Sequence, residues 1–203
     1  MPLTRKSTIL IENMKECGVE SDMEKWIINA AEILHAQLAR SLGLDRYAEI
    51  MAGDPMCPDF QRAFNGYYRV RRNESWRRQY YALFVKARKE RYTFEQILTS
   101  LFQVTGNVEA SFSSKMLATI DASKPIWDQY VLQNLGLELI GKAQEEKLKN
   151  AVFLYGRIER WYADYLTTAE AKDAIAAFDQ LLPDYAWVSD IKKIDCLLWS
   201  KRE

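Results

Sequence analysis

The sequence predicts an all-α protein, and three observations support this fold class. Apolar residues recur at three- and four-residue steps over most of the 203 residues, as they do on the buried side of an amphipathic helix. Capping sequences precede several of these stripes, and proline or glycine follows them. No segment shows sustained alternation of apolar and polar residues, and YYRV at 67–70 is the only short strand candidate. We therefore expect a multi-helix globular domain.

The first predicted helix and a linker occupy the N-terminal quarter. Ser21 and Glu24 form a capping box ahead of a stripe that runs from Trp26 to Leu38, and Gly43 is placed to end this helix. After Gly53, the stretch GDPMCP contains a glycine and two prolines. These residues predict a linker rather than a continued helix.

Three further helices are predicted between residues 76 and 120. The first carries a stripe from Trp76 to Ala87, and the second begins at the box Thr93–Gln96. A turn at 105–107 leads to the third, whose apolar residues repeat every fourth position: Val108, Phe112, Met116 and Ile120. Residues 94–120 therefore predict a helix-hairpin-helix-like element.

A break at 121–127 separates this element from the C-terminal helices. Pro125 cannot continue a helix, and Asp128 can cap the next one. A long helix follows around 148–162, the box Thr167–Glu170 opens another, and Ser189 can cap the last. We expect one helical unit over 1–203, or alternatively two lobes, 1–58 plus 138–203 and 59–137.

Composition excludes several classes of function. Lys and Arg number 28, as do Asp and Glu, so no overall charge favours nucleic acid or a membrane surface. No apolar run is long enough to span a bilayer, which predicts a soluble, cytoplasmic protein without a membrane partner. His35 is the single histidine, and the three cysteines have no metal-ligand spacing. We expect no metal and no cofactor.

Charge is concentrated between residues 69 and 91. This segment has nine basic side chains against two acidic ones, which leaves seven positive charges in a neutral protein. Such a surface can bind phosphates, and its aromatic residues can stack on unpaired bases. A solvated helix face whose arginines pair with carboxylates elsewhere in the fold is the alternative. The candidate phosphate-binding residues are Arg69, Arg71, Arg72, Arg77, Arg78, Arg88 and Lys89.

The order of a helix, a glycine turn, a helix of small residues, a proline break and an aspartate resembles the helix-hairpin-helix DNA glycosylase superfamily. In that family the hairpin holds DNA phosphate through backbone N–H groups, and an aspartate at the next helix start supports departure of the base. The resemblance implies that Gly106 is the first hairpin glycine and that Asp128 is the catalytic aspartate. Val108 and Ala110 replace the family's second glycine and lysine nucleophile, so a monofunctional enzyme is implied. A group of small bacterial proteins is also similar, and that likeness implies no mechanism.

Two hypotheses follow from these observations. In the first, the chain binds DNA and excises damaged bases, with the flipped base stacked on Trp127 or Tyr130 and Asp128 stabilising positive charge on the sugar. In the second, it is a non-enzymatic helical module that binds a protein partner, and Asp128 is only an N-cap. Lys115 lies beside the apolar face of its helix, and we expect it to reach water rather than act as a nucleophile.

Overall fold

The computed structural model of the chain describes residues 43–200, and this range contains helices and no strand. Nine α-helices and one short 3₁₀-helix, Pro183–Tyr185, are present within it. The predicted all-α fold class is confirmed for the described range. The α-helices are α1 Leu44–Ala52, α2 Pro58–Tyr67, α3 Glu74–Glu90, α4 Phe94–Thr105, α5 Ala110–Ile120, α6 Gln129–Asn134, α7 Gln144–Tyr165, α8 Ala169–Leu181 and α9 Asp190–Ser200.

The strand proposed at 67–70 is wrong, because this stretch ends α2 and reverses the chain. Tyr68 caps α2, and Arg69 adopts a left-handed backbone with a φ of 53°. The N–H of Val70 then donates to the carbonyl of Asn65 at 2.9 Å, which closes the turn. Tyr68 and Val70 are buried, so their apolar character reflects packing rather than strand pairing.

The capping predictions hold at most helix starts. Thr93 and Gln96 form the full capping box of α4, the Asp128 carboxylate accepts from the N–H of Tyr130, and Ser189 accepts from the N–H of Lys192. At α8 the prediction was one residue early. Thr168 provides the cap by accepting from the N–H of Ala171.

The break lies where the sequence predicted it, and the hairpin turn is present but spans residues 106–109 rather than 105–107. Gly106 ends α4 with a φ of 68°, a left-handed conformation that glycine adopts without a steric penalty. The second helix begins at Ala110, so Val108 lies in the turn and only the other three residues of its stripe belong to α5. No helix occupies 121–127, where the hydroxyl of Tyr155 donates to the carbonyl of Pro125 at 2.9 Å.

Helix α4 holds a central position, because it packs against α3, α5 and α7. Helix α9 packs against α6 and α8 and closes the other side of the core. Buried side chains form one hydrophobic cluster that extends from Leu44 to Leu198 and includes residues of both proposed lobes. The linker prediction also holds, since residues 53–57 connect α1 to α2. The capping box at Ser21 and Glu24, together with His35, lies outside the described residues.

Candidate nucleic-acid interface

A surface cleft of about 310 Å³ lies between the α4–α5 turn and the first turns of α3. It brings together the hairpin and the N-terminal part of the basic segment, two features that the sequence singled out separately. Its volume is at the lower end of the range found for small-ligand sites. The lining residues are Arg72, Asn73, Ser75, Trp76, Gln79, Val104, Thr105, Asn107 and Glu109.

Local hydrogen bonds hold both walls of this cleft. The Asn73 side chain caps α3 by accepting from the N–H of Trp76 at 2.9 Å. On the opposite wall, the Thr105 hydroxyl donates to the carbonyl of Leu101 at 2.7 Å, and the Asn107 amide donates to the carbonyl of Thr105 at 3.1 Å. The cleft is therefore built from two pre-organised helix ends.

An ion pair joins the two walls. The Arg72 Nη2 donates to the Glu109 Oε2 at 2.8 Å, and Glu109 is 6% exposed. The Arg72 guanidinium also lies 5.6 Å from the ring centroid of Trp76 and 5.4 Å from that of Phe112, within the range of cation–π attraction. These contacts orient the guanidinium and neutralise the buried carboxylate.

Two buried polar atoms of the cleft residues have no hydrogen-bond partner within the described part of the chain. They are the second carboxylate oxygen of Glu109, Oε1, and the indole nitrogen of Trp76, Nε1. A buried acceptor or donor without a partner costs about 1–3 kcal/mol. Each of these two atoms exposes less than 1 Å² to solvent, so neither is presented to a ligand in the cleft.

The predicted phosphate-binding residues fall into two groups. Arg69, Arg71 and Lys89 are exposed and form no ion pair among residues 43–200. The other four have internal neighbours. Arg72 pairs with Glu109, Arg78 pairs with Glu74 at 3.3 Å, Arg88 donates to the carbonyl of Gly53 at 3.0 Å, and Arg77 is half-buried near Tyr81.

The net positive charge around this segment in the folded protein is therefore smaller than the seven charges counted along the sequence. Glu109 lies outside the segment but neutralises Arg72 inside it. The exposed side of α3 nevertheless remains basic, since Arg78 and Lys89 are exposed and lie eleven residues apart, which is about three helical turns. Gly106 is exposed at the tip of the hairpin, and no atom lies within 4 Å of the position that a Cβ would occupy.

The three residues proposed for base excision lie elsewhere. Asp128 is half-buried, uses its Oδ1 to cap α6, and does not line the cleft. Trp127 is 5% exposed and stacks on Phe94 with ring centroids 6.5 Å apart, so a base could stack on it only if the ring left the core. Tyr130 is half-buried in the first turn of α6.

The Lys115 side chain lies beside two aromatic rings and within electrostatic reach of Asp128. Its side chain is half-buried, with the Nζ 5.8 Å from the ring centroid of Tyr68 and 5.4 Å from that of Phe112. Burial lowers the pKa of Lys115, and the negative charge of Asp128 acts in the opposite direction. The Lys115 side chain is therefore only partly exposed to water.

Sequence reasoning missed a larger groove of about 890 Å³ between α7 and the ends of α3, α4 and α5. Phe94 and Tyr155 line this groove, and their stacked rings have centroids 3.8 Å apart. Lys124 and Glu159 pair at 2.9 Å on its rim. No local motif marks this groove, because its walls come from helices that are far apart along the chain.

Glu109 was missed for a related reason, since its partner Arg72 is 37 residues away.

Comparison with protein-family models, with curated proteins and with solved structures finds no match for this chain. Among the described residues, no group of three or more histidine, cysteine or acidic side chains is placed to hold a metal ion. None of the helices in that range has the length and apolar character needed to cross a bilayer.

Proposed function

We propose that this protein binds nucleic acid through the phosphate backbone, on the surface formed by α3 and the α4–α5 turn. The observation that carries this proposal is the cleft at which the hairpin turn and the basic segment meet. The exposed side chains of Arg71, Arg78 and Lys89 extend the positive surface away from the cleft. Backbone phosphates are bound by such basic side chains together with polar groups at helix ends and turns.

Polar side chains in the cleft supply neutral donors beside these cations. Ser75, Gln79 and Asn107 line the cleft and are exposed, so their hydroxyl and amide groups can reach a ligand. Sugar and phosphate oxygens accept hydrogen bonds from such groups without regard to base sequence. The proposed surface therefore favours binding that depends on salt more than on sequence.

The test is the salt dependence of DNA affinity. Fluorescence anisotropy of labelled duplex and single-stranded DNA is expected to show binding that weakens by orders of magnitude between low and physiological salt, since each neutralised phosphate releases counterions. Replacing Arg71, Arg77 and Arg78 together by serine should weaken binding for all sequences alike and reduce the salt slope. A matched control replaces three basic residues outside α3 and the cleft, Lys142, Lys149 and Arg160.

Two results would contradict this proposal. The first is the absence of binding at low salt, and the second is an equal loss in the control variant. Either would favour the alternative of a helical module that binds an acidic protein partner. The Arg72–Glu109 pair favours that alternative in one respect, because it shows that an arginine of the segment already pairs with a carboxylate of the fold.

Base excision at Asp128 is a finer proposal that rests on the family resemblance. The Asp128 carboxylate stands at the start of α6 and is half-buried, and only its Oδ1 accepts a hydrogen bond from the described residues. The remaining oxygen is available to stabilise a cation that develops on a sugar. The buried ring of Trp127 counts against stacking of the flipped base there, so the geometry supports binding more strongly than excision.

A further inference from the structure

The groove between α7 and the ends of α3, α4 and α5 has the size and the lining of a small-ligand site. Its volume of about 890 Å³ lies within the range of roughly 300–1,000 Å³ that such sites occupy. The half-buried side chains of Tyr92, Ile120 and Val152 give it apolar surface, together with the stacked rings of Phe94 and Tyr155. An apolar ligand of moderate size can therefore be accommodated.

A glycine occupies the α7 wall of this groove, at a position where alanine would stabilise the helix more. Gly156 lies in the interior of α7, and a Cβ added there would meet no atom within 4 Å. Packing within the described residues does not require glycine, although glycine lowers the stability of a helix relative to alanine. Its effect is to leave the helix backbone open to close approach from the groove.

Arg91 shows the opposite conflict with local stability. It ends α3 in the left-handed region with a φ of 54°, where glycine is the usual residue, and it also lines the groove. Arg69 is the other non-glycine residue of positive φ in the described range, and it lies outside the groove. Backbone strain alone therefore does not identify a site. Two conflicts with local stability in one groove are, however, typical of residues retained for function.

Charged side chains line the groove in equal numbers of each sign, but they are not equally available to a ligand. Lys124 pairs with Glu159 at 2.9 Å. Asp121 accepts from the N–H and the hydroxyl of Ser123 at 2.9 Å and 2.6 Å. These carboxylates are therefore already engaged within the fold. The charged lining residues are the cations Arg88, Arg91 and Lys124 and the acids Glu95, Asp121 and Glu159.

Arg91 is the cation best placed to meet a ligand. Its side chain is exposed and has no hydrogen bond or ion pair among the described residues, whereas Arg88 donates to the carbonyl of Gly53 at 3.0 Å. Glu95 is in the first turn of α4, where the positive end of the helix offsets its charge. A guanidinium binds a carboxylate through two parallel N–H donors. The groove therefore favours a ligand with an anionic group beside an apolar body.

We propose that this groove binds a small aromatic carboxylate, with Arg91 pairing with the carboxylate and the ring lying against the α7 backbone at Gly156. The groove and the cleft at the α4–α5 turn share no lining residue, so binding here is independent of the proposed nucleic-acid binding.

The experiment compares naphthoate with its neutral isostere naphthamide by isothermal titration calorimetry of the full chain. The wild-type protein should bind one equivalent of naphthoate about fivefold more tightly than naphthamide, the gain expected for a partly exposed ion pair. In Arg91→Gln the two affinities should become equal. Arg160→Gln is the matched control, because it removes an exposed cation of α7 outside the groove and should keep the preference.

Gly156→Leu tests the position of the ring. Leucine is a good helix former, and its side chain would occupy the groove, so both compounds should bind about tenfold more weakly to a protein that remains folded in thermal unfolding. Ala163→Leu, at an exposed position of α7 outside the groove, should bind both as the wild type does.

Equal wild-type affinity for the two compounds, or a preference that survives in folded Arg91→Gln, overturns the role of Arg91. An equal loss of preference in Arg160→Gln does the same. Absence of naphthoate binding, or binding that Gly156→Leu leaves unchanged, overturns the groove as the site. None of these outcomes alters the salt-dependent DNA binding expected of the other surface.

Discussion

The backbone N–H of Trp127 donates a hydrogen bond to the Ser114 hydroxyl at 2.8 Å, and Ser114 is fully buried. This bond fixes the residue before Asp128 to the middle of α5. The Tyr155 hydroxyl fixes Pro125 in the same break from the other side, through α7. The proline break is therefore held at defined points, although it contains no helix.

Ser114→Ala should destabilise the protein by about 1–3 kcal/mol, because it leaves the buried N–H of Trp127 without an acceptor. The free energy of unfolding in urea measures this effect. Ser100→Ala is the matched control. Its hydroxyl donates only to the carbonyl of Gln96 in the preceding turn of α4, and alanine is a good helix former, so a change of at most about 0.5 kcal/mol is expected. Equal losses in the two variants would contradict this account.

The substitution Asp128→Asn distinguishes a capping role of the Asp128 carboxylate from a catalytic one. Asparagine caps a helix about as well as aspartate, so stability should change by only a few tenths of a kcal/mol. If the carboxylate supports base departure, release of bases from damaged duplex DNA should fall about a hundredfold while DNA affinity stays the same.

Asp121→Asn, the same change of side chain at the other end of the break, is the control for this experiment and should leave base release unaltered. Wild-type protein that releases no base from any damaged duplex would contradict the excision proposal, and the backbone-binding proposal would stand without it.

Two glycines should respond oppositely to the same substitution. A Cβ added at Gly156 or at Gly106 would meet no atom within 4 Å, but Gly106 has a φ of 68° and Gly156 lies inside α7. Gly156→Ala should therefore stabilise the protein by about 0.5–1 kcal/mol. Gly106→Ala should destabilise it by about 1–2 kcal/mol, because alanine is strained in the left-handed region. Chemical denaturation of both variants checks the two signs, and a shared sign would contradict the role given to the Gly106 backbone.

Stability should decrease with rising pH above 9 because of Cys196. Burial raises the pKa of this thiol to about 11 from the usual 9.0. Between these two values the unfolded chain loses the proton while the folded chain keeps it, so each pH unit favours unfolding by about 1 kcal/mol. Unfolding in urea at pH 8 and at pH 10 measures the difference.

Cys196→Ala should abolish the decrease in the free energy of unfolding that occurs between pH 9 and pH 10. Cys57→Ala, at an exposed thiol, should leave it unchanged. Above pH 10 the buried tyrosines add to the effect in both variants, since burial raises the pKa of Tyr67 to about 12. If the free energy of unfolding of Cys196→Ala still decreases below pH 10, another group is responsible for the effect.

Features of the fold that depend on neighbouring residues could be predicted from the sequence. The box Thr93–Gln96, the turn at Gly106 and the break at Pro125 all act within a few residues of their own position, so their local chemistry decides the backbone. The strand at 67–70 failed because a short apolar run does not distinguish a strand from the buried end of a helix. Its Arg69 takes a left-handed conformation that the residue type does not signal.

The candidate site was predictable only in part for a similar reason. The basic segment and the hairpin could each be identified, but their meeting at one cleft depends on how α3 packs against α4. Pairing of Arg72 with Glu109 is a contact across 37 residues. Burial of Trp127 depends on Phe94, which is also distant in sequence. A charge count along the chain cannot anticipate such contacts, because it includes no packing.

The stacked rings of Phe94 and Tyr155 have a kinetic consequence. The α4–α5 contacts are local in sequence, so this hairpin can form early with a small loss of chain entropy. The ring stack instead closes a loop of about sixty residues. Forming it in the folding transition state would therefore cost more chain entropy than forming the hairpin. Interactions absent from the transition state govern the rate of unfolding rather than that of folding. The lifetime of the native state should therefore depend on α7 remaining docked, while the speed of folding depends on the hairpin.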